Sequence, residues 1–149
     1  MKKLALTDFA KYRYPSALEL SPDSRYLTFA LKEVDREGDG YRWNLWLYDL
    51  ESRESRQITR GDDQRQAVWE DNTHILYKTT ELDEAMRARG FEEEWTVYHR
   101  LNVCTGEECE AFRLPMSVSG LWKMDEGRYV FTGETHSVSY THLTLPTKA

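Results

Sequence analysis

The amino-acid sequence predicts an all-β fold that is built from a repeated unit and carries short helical insertions. Three segments share one plan, in which a short apolar strand, a polar turn centred on Asp and a second apolar strand follow one another. These segments are LELSPDSRYLTFAL (18–31), AVWEDNTHILYKTT (67–80) and GLWKMDEGRYVFTGE (120–134). Their second strands are rich in β-branched and aromatic residues, which suit a pleated, buried surface.

A second hairpin follows each of the first two segments after a variable loop. WNLWLYDLESRESRQIT (43–59) crosses a polar turn at 51–54, and EWTVYHRLNVCTGEECEAFRLP (94–115) turns at Thr105-Gly106. Four short strands per unit, at a spacing of about 50 residues, are typical of a propeller blade rather than of a sandwich. We therefore predict a partial β-propeller of about two and a half four-stranded blades out of seven or eight.

The repeats also set the expected domain boundaries. We expect blade 1 at about 17–60, blade 2 at about 66–115 and the start of blade 3 at about 118–136, all within a propeller region of 1–136. The first turn reads Ser21-Pro22-Asp23-Ser24, whereas the second reads Glu70-Asp71-Asn72 and the third runs from Met124 to Gly127. All three keep the polar composition of a turn.

The spacers between the strands predict two kinds of connection. Residues 33–41, EVDREGDGY, read as a polar loop punctuated by glycine, whereas 81–91, ELDEAMRARGF, are rich in helix formers. In the second spacer Asp83 and Arg87 are four residues apart and Gly90 stands where a helix would stop, so we expect a short inserted helix. Another short helix is expected near the N-terminus, capped by Thr7.

Composition and charge exclude several classes of function. The chain has 149 residues, of which 40% are hydrophobic and 13% aromatic, so it can form a core. Its net charge of −6 and the lack of a basic patch argue against a nucleic-acid partner. The apolar run Leu4 to Leu6 is too short for a signal peptide, and no stretch approaches the length of a membrane span. A cytoplasmic protein with no membrane partner is therefore expected.

The C-terminal segment 137–149, SVSYTHLTLPTKA, differs from the rest because it has no acidic residue. The codons GTC TCT TAT ACA CAT CTG ACG CTG CCG ACG would encode Val138 to Thr147, and this string resembles a transposase end joined to a sequencing adapter. We therefore expect a non-native tail and exclude it from the fold. In that case the chain is an N-terminal piece of a longer protein; the alternative is a genuine Thr-rich final strand.

LSPDSRYLTFAL followed by NLWLYDLESRESRQITRG resembles the N-terminal propeller of the prolyl oligopeptidase (S9) serine peptidases, especially the bacterial acylaminoacyl-peptidase-like members. The opening LTDFAKYRYPSALELSPDSRYL fits the start of such a protein, and the resemblance covers about residues 4–134. Ser-Pro-Asp turns and LYDL strands also occur in TolB-like propellers. The alternative is therefore a TolB-like or WD-type propeller that serves as a non-catalytic binding module.

The resemblance implies a propeller seated over a C-terminal α/β-hydrolase domain with a Ser-Asp-His triad, and that domain is absent from these residues. It implies peptides as substrates, because the propeller restricts access to the catalytic cavity. The expected partners are thus a peptide substrate in the full-length protein and the missing hydrolase domain. An incomplete ring also leaves an apolar face and a strand edge open, which allows a homo-oligomer.

No residue is assigned a catalytic, cofactor-binding or metal-binding role. Acyl transfer needs a serine on a sharp turn, normally in Gly-x-Ser-x-Gly, and the sequence has no such string. The nearest match, 117–120, lacks the first glycine and is interpreted as a connection between blades. None of His74, His99 and His136 has a neighbouring helical segment that would seat it as a base. The chain alone is therefore expected to hydrolyse nothing.

Three other groups of residues have two interpretations each. Residues 92–94 are all Glu and resemble the acids with which some S9 propellers hold a substrate amine, or they form a solvated acidic run. Cys104 and Cys109 form a disulfide or half a metal site, or they are two reduced thiols on adjoining strands. The tryptophans form a ring-stacking platform or pack between blades. They are Trp43, Trp46, Trp69, Trp95 and Trp122.

Overall fold

The computed structural model of the chain describes residues 3, 5–90, 94–125, 127–134 and 139–146, the last range by its backbone. The chain divides into two compact units, Met1–Ala67 and Val68–Ala149. The elements are almost entirely strands, arranged in three antiparallel sheets. The prediction of an all-β fold with short helical insertions is confirmed.

The first unit holds a short 3-10 helix and one four-stranded sheet. The helix spans Leu6–Lys11, and the strands are β1 (Tyr14–Leu20), β2 (Tyr26–Asp35), β3 (Gly40–Asp49) and β4 (Glu54–Gln57). Each strand pairs with the next in the order β1-β2-β3-β4. Ala30, on β2, lies opposite Leu45, on β3, and both side chains are fully buried. These two side chains bury apolar area at the centre of the sheet, which stabilises the paired strands.

Two connections of the first unit differ from the sequence prediction. The expected loop at 33–41 is mostly strand, because β2 continues to Asp35 and β3 begins at Gly40. Asp39 adopts a left-handed φ of 52°, which lets a four-residue turn close the hairpin. At the N-terminus, Thr7 is not the helix cap: the helix begins after Ala5, whose N–H donates to the carboxylate of Asp8 at 2.8 Å.

The second unit holds two sheets. The first has the order β5-β6-β7-β8, and the second has the order β11-β10-β9. The bounds are β5 (Val68–Trp69), β6 (His74–Leu82), α1 (Glu84–Arg87), β7 (Glu94–Asn102), β8 (Glu108–Leu114), β9 (Ser117–Asp125), β10 (Arg128–Glu134) and β11 (Ser139–Pro146). Within the described residues the two helices of the chain have only six and four residues, and none is long enough to cross a membrane.

The insertion between β6 and β7 contains the predicted short helix. The Asp83 carboxylate accepts a hydrogen bond from the Ala85 N–H at 2.9 Å and one from the Trp95 indole N–H at 2.8 Å. Gly90 follows the helix with a φ of 84°, a conformation that glycine adopts without strain. Asp83 therefore fixes the start of the helix and ties it to the start of β7.

Part of the C-terminal segment, residues 139–146, takes part in the third sheet. β11 pairs with β10 in antiparallel register, with Leu143 opposite Phe131 and Leu145 opposite Tyr129. A segment in which Thr, Tyr and Leu predominate has high β propensity, and it satisfies the open backbone edge of β10 whatever its origin. That this tail is non-native stays a prediction.

An apolar core joins the two sheets of the second unit. Phe131 and Tyr129 from β10 are almost fully buried and belong to one cluster with Leu76 and Tyr98. The rings of Phe112 and Tyr129 lie 6.1 Å apart, within the range of favourable aromatic contacts. Complete burial of side chains of this size stabilises a fold by about 1.5–3 kcal/mol each. The cluster thus packs one sheet against the next, as successive propeller blades do.

Candidate functional site

The serine motif nearest to a hydrolase nucleophile lies inside a strand. Residues 117–120 belong to β9, so the prediction that they connect two blades is wrong. Val118 is buried in the core between the sheets. The alternation of exposed and buried side chains that is typical of a strand therefore begins at Ser117. The Ser119 hydroxyl lies 2.8 Å from the Thr132 hydroxyl on the neighbouring strand. These contacts tie strands together and do not place a base beside a serine.

One polar group of the second unit, Glu70 in the turn after β5, connects residues of two sheets. Its carboxylate accepts two hydrogen bonds from the Arg100 guanidinium, at 2.5 and 2.9 Å, and one from the Tyr129 hydroxyl at 2.7 Å. Its backbone carbonyl accepts a hydrogen bond from the Lys123 ammonium. We call these four residues the Glu70 cluster. Arg100 lies on β7 and Tyr129 on β10, so Glu70 links two sheets.

The electrostatics of the Glu70 cluster favour its charged form. Burial would raise the pKa of the Glu70 carboxyl, but hydrogen bonds from Arg100 and Tyr129 outweigh burial and hold the pKa below its usual value. The same contact raises the pKa of Arg100, and burial together with Glu70 raises that of Tyr129. Because both carboxylate oxygens already accept hydrogen bonds, the cluster is suited to holding sheets together rather than to acid–base chemistry.

A second polar group surrounds His99 on β7. The His99 ring stacks on Tyr77 with centroids 5.2 Å apart, and its Nε2 lies 2.8 Å from the Thr79 hydroxyl. The Tyr77 hydroxyl donates to Glu108, and burial together with this hydrogen bond raises the tyrosine pKa. These side chains lie on neighbouring strands of one sheet and contact one another. His74 contacts Asp71 at 3.0 Å in a turn, and His136 lies outside the described residues.

The other candidate residues do not lie together in one site. Of the acidic run, Glu92 and Glu93 lie outside the described residues, and Glu94 is exposed at the start of β7. Cys104 and Cys109 are both exposed, and no disulfide joins them. Cys104 lies in the turn after β7, not on a strand as predicted, whereas Cys109 is on β8. Among the residues that the structure describes, no three His, Cys, Asp or Glu side chains could hold a metal ion.

The five tryptophans all lie in strands, and they do not share one environment. Trp46 stacks on Phe29 at 6.5 Å in the first unit, and Trp69 is buried in the second. Trp122, on β9, is 49% exposed. Trp43 lies beneath the Arg65 guanidinium, whose carbon is 3.9 Å from the ring centroid. The two tryptophans of the first unit, at positions 43 and 46 of β3, lie on opposite faces of its sheet.

No family model matches this chain, and no curated protein sequence matches it. Solved structures do. The β-propeller domain of the Trilobed protease from Pyrococcus furiosus, described as having an open velcro topology, is 12% identical with a TM-score of 0.58. That match covers 83% of this chain and 35% of the other.

Two peptidase structures match over more of the chain. The acylaminoacyl peptidase of Pyrococcus horikoshii is 13% identical, with a TM-score of 0.65 over 94% of this chain. An acylaminoacyl peptidase in complex with Z-Gly-Gly-Phe-chloromethyl ketone is 12% identical, with a TM-score of 0.66 over 95% of this chain. The fold is that of a partial β-propeller. The chain spans 24% of the length of each of these peptidases.

Proposed function

We propose that this chain is the N-terminal propeller portion of an S9-type serine peptidase that hydrolyses peptides. The observation that carries the proposal is the match of more than nine-tenths of the chain to about a quarter of two acylaminoacyl peptidases. The resemblance of LSPDSRYLTFAL and NLWLYDLESRESRQITRG to the N-terminal propeller of such proteins also supports the proposal.

In this proposal the chain selects the peptide substrates, and the rest of the protein hydrolyses them. The sequence has no Gly-x-Ser-x-Gly string, and its nearest match is part of β9. The nucleophile, its histidine base and the orienting Asp would therefore belong to a hydrolase domain. The propeller would admit peptides and exclude folded proteins, in a peptidase that we place in the cytoplasm.

The exposed apolar side chains of β9 support a larger assembly. Trp122 is 49% exposed and Met124 is 65% exposed. Large apolar side chains two residues apart lie on one face of a strand and are costly to leave in water, and such surface usually marks an interface. We propose that a further blade of a complete propeller covers these two side chains. In the isolated chain they would favour association into a homo-oligomer.

Recovery of the continuous gene from the source DNA tests the proposal. The peptidase function requires, downstream in the same frame, a strand, Gly-x-Ser-x-Gly and a helix, followed by an Asp and a His in that order. The encoded protein should hydrolyse short acylated or free peptides, and replacement of the motif serine by alanine should abolish the activity. A reading frame with further propeller repeats and no such motif would overturn the proposal in favour of a non-catalytic binding module.

A further inference from the structure

A row of aromatic and cationic side chains crosses one face of the sheet in the first unit. Lys32, on β2, lies directly opposite Tyr14 on β1 and directly opposite Trp43 on β3. Residues that face each other across antiparallel strands project from the same face of the sheet. Tyr41 lies two residues before Trp43 in β3 and therefore shares that face. Lys32 thus shares this face with three aromatic residues.

The contacts of Lys32 are with rings and not with acids. Its Nζ lies 3.8 Å from the centroid of Tyr41 and 5.4 Å from that of Trp43. The neighbouring Glu33 projects from the opposite face, where it pairs with Arg13 at 2.8 Å and Arg42 at 3.7 Å. Among the residues that the structure describes, no carboxylate forms an ion pair with Lys32.

A second cation stands on the same row. The Arg65 guanidinium carbon lies 3.9 Å from the Trp43 centroid, and its Nε pairs with the Asp63 carboxylate at 2.7 Å. Both members of that ion pair are more than half exposed, so the pair is weak and its guanidinium can also contact another anion. Lys32 adds a positive charge to this face beside the Arg65–Asp63 ion pair, although the chain as a whole carries −6.

The loop that carries Arg65 is held in place by buried polar groups. Asn44, which is 4% exposed, donates to the Asp62 carboxylate at 2.9 Å and accepts from the Asp62 N–H at 3.1 Å. Buried Gln64 accepts from the Gly61 N–H at 2.9 Å, and its own N–H donates to the Trp43 carbonyl at 3.0 Å. Residues 61–65 are therefore fixed against β3, which places Arg65 over Trp43 before any ligand binds.

We propose that Lys32, Tyr41, Trp43 and Arg65 form a binding site for the carboxylate of a peptide. The ammonium of Lys32 forms the charged hydrogen bond to a carboxylate oxygen, and the two rings contact the apolar atoms beside that carboxylate. A ligand with a single negative charge fits the single ammonium of Lys32, whereas the net charge of −6 repels polyanions such as nucleic acids. This inference rests on the proposed function, because it specifies the chemistry of the peptides that the propeller selects.

Binding of matched peptides to the full 149-residue chain tests the site. The probes are acetyl-Gly-Gly-Phe with a free carboxylate, the same peptide as its carboxamide, and acetyl-Gly-Glu-Phe carboxamide. Binding is followed by NMR through the indole N–H of Trp43. The free acid should bind about tenfold or more tightly than its carboxamide, because only the acid makes the charge-assisted hydrogen bond. Tight binding of the Glu-containing carboxamide would show that the site binds a side-chain carboxylate as well as a C-terminal one.

Substitutions connect the discrimination to the site. Lys32→Met keeps the apolar stem and removes the charge, and it should abolish the preference for the free acid, whereas Lys32→Arg should keep it. Arg89→Met removes an exposed cation from the other unit and should leave the preference unchanged. The backbone NMR spectrum of each variant shows whether it folds. If Lys32→Met does not fold, the Lys32→Arg variant still tests the site.

Equal binding of acid and carboxamide to the wild-type chain would overturn the site, as would a preference that survives in a folded Lys32→Met variant. Neither result bears on the downstream hydrolase motif or on peptide hydrolysis by the complete gene product. The carboxylate site and the peptidase function can therefore fail separately.

Discussion

The turns of the first and second repeats are each closed by a backbone hydrogen bond from their first residue, but the side chains of these two residues make contacts over different distances. The Ser21 N–H donates to the Tyr26 carbonyl at 2.8 Å, and the Glu70 N–H donates to the His74 carbonyl at 2.9 Å. In the first turn the side chain stays local, because the Ser21 hydroxyl donates to Asp23 at 2.7 Å. In the second turn the Glu70 carboxylate leaves the turn and reaches the next sheet.

The difference shows that the backbone of the turn does not require a particular first side chain. Serine is short and its hydroxyl accepts from the Tyr26 N–H, so it reinforces the hairpin that contains it. Glutamate is longer and carries a charge, so it can satisfy Arg100 on its own sheet and Tyr129 on the next. One repeat position therefore closes a turn in the first unit and links two sheets in the second.

Removal of the Glu70 side chain should have the largest effect on stability. Glu70→Ala leaves Arg100 and Tyr129 partly buried without their partner, which should lower the free energy of unfolding by about 3 kcal/mol. The matched variant Ser21→Ala removes only local hydrogen bonds and should lower it by about 1 kcal/mol. Urea unfolding followed by circular dichroism measures both. Equal losses would show that the inter-sheet contact contributes nothing beyond the turn.

The link between Glu70 and Tyr129 should appear as a coupling energy. Tyr129→Phe removes one hydrogen bond from a ring that stays buried, and it should lower the free energy of unfolding by about 1 kcal/mol. The double variant with Glu70→Ala and Tyr129→Phe should lose less free energy of unfolding than the sum of the two single losses, by about 0.5 kcal/mol or more. Strict additivity in the same urea experiment would mean that the two side chains do not interact.

The aspartates of the two turns should contribute equally to the free energy of unfolding, in contrast to Ser21 and Glu70. Asp23 accepts from the Arg25 N–H at 3.1 Å, and Asp71 accepts from the Thr73 and His74 N–H groups at 2.8 Å each. Asp23→Ala and Asp71→Ala should each lower the free energy of unfolding by about 1 kcal/mol. A much larger loss for Asp71→Ala would show that the whole second turn, and not Glu70 alone, fixes the sheets.

The smallest effect is the pH dependence of the Glu70 contribution. Because the folded protein lowers the pKa of Glu70 below its usual 4.5, the charged carboxylate stabilises the fold above that pH and loses its contribution as the pH falls through the folded pKa. The stability difference between wild type and Glu70→Ala should be constant at neutral pH and shrink below 4.5. For comparison, the difference for Val118→Ala, an apolar core position, should not change with pH. A Glu70 difference that persists into acid would contradict the lowered pKa.

The repeated strands of this fold could be predicted from the sequence because their signals are local. Alternation of Leu45 and Leu47 marks one strand, the β-branched and aromatic run 75–77 marks another, and Thr105-Gly106 marks a turn in which Gly106 has a φ of 79°. The errors have local causes too. The polar residues Glu33 and Asp35 predict a loop, but a polar strand end is stable when its partner strand continues beside it.

The candidate sites depend on register and on long side chains, which a single sequence does not show. Nothing in the sequence indicates that Glu70 reaches Tyr129, since 59 residues separate them. Lys32 and Trp43 become neighbours only once β2 and β3 pair in one particular register. Arg65 joins them through a loop that buried Asn44 and Gln64 hold in place, and both are polar residues that composition would assign to the surface.

Nuclear Overhauser contacts in the full chain test the central claim, that the repeated strands form successive propeller sheets, most directly. The predicted result has two parts: backbone contacts in the order β1-β2-β3-β4 and β5-β6-β7-β8, and side-chain contacts between Phe112 and Tyr129 across two sheets of the second unit. A different strand order, or a third sheet that makes no contact with Phe112, would contradict the assignment of a partial β-propeller.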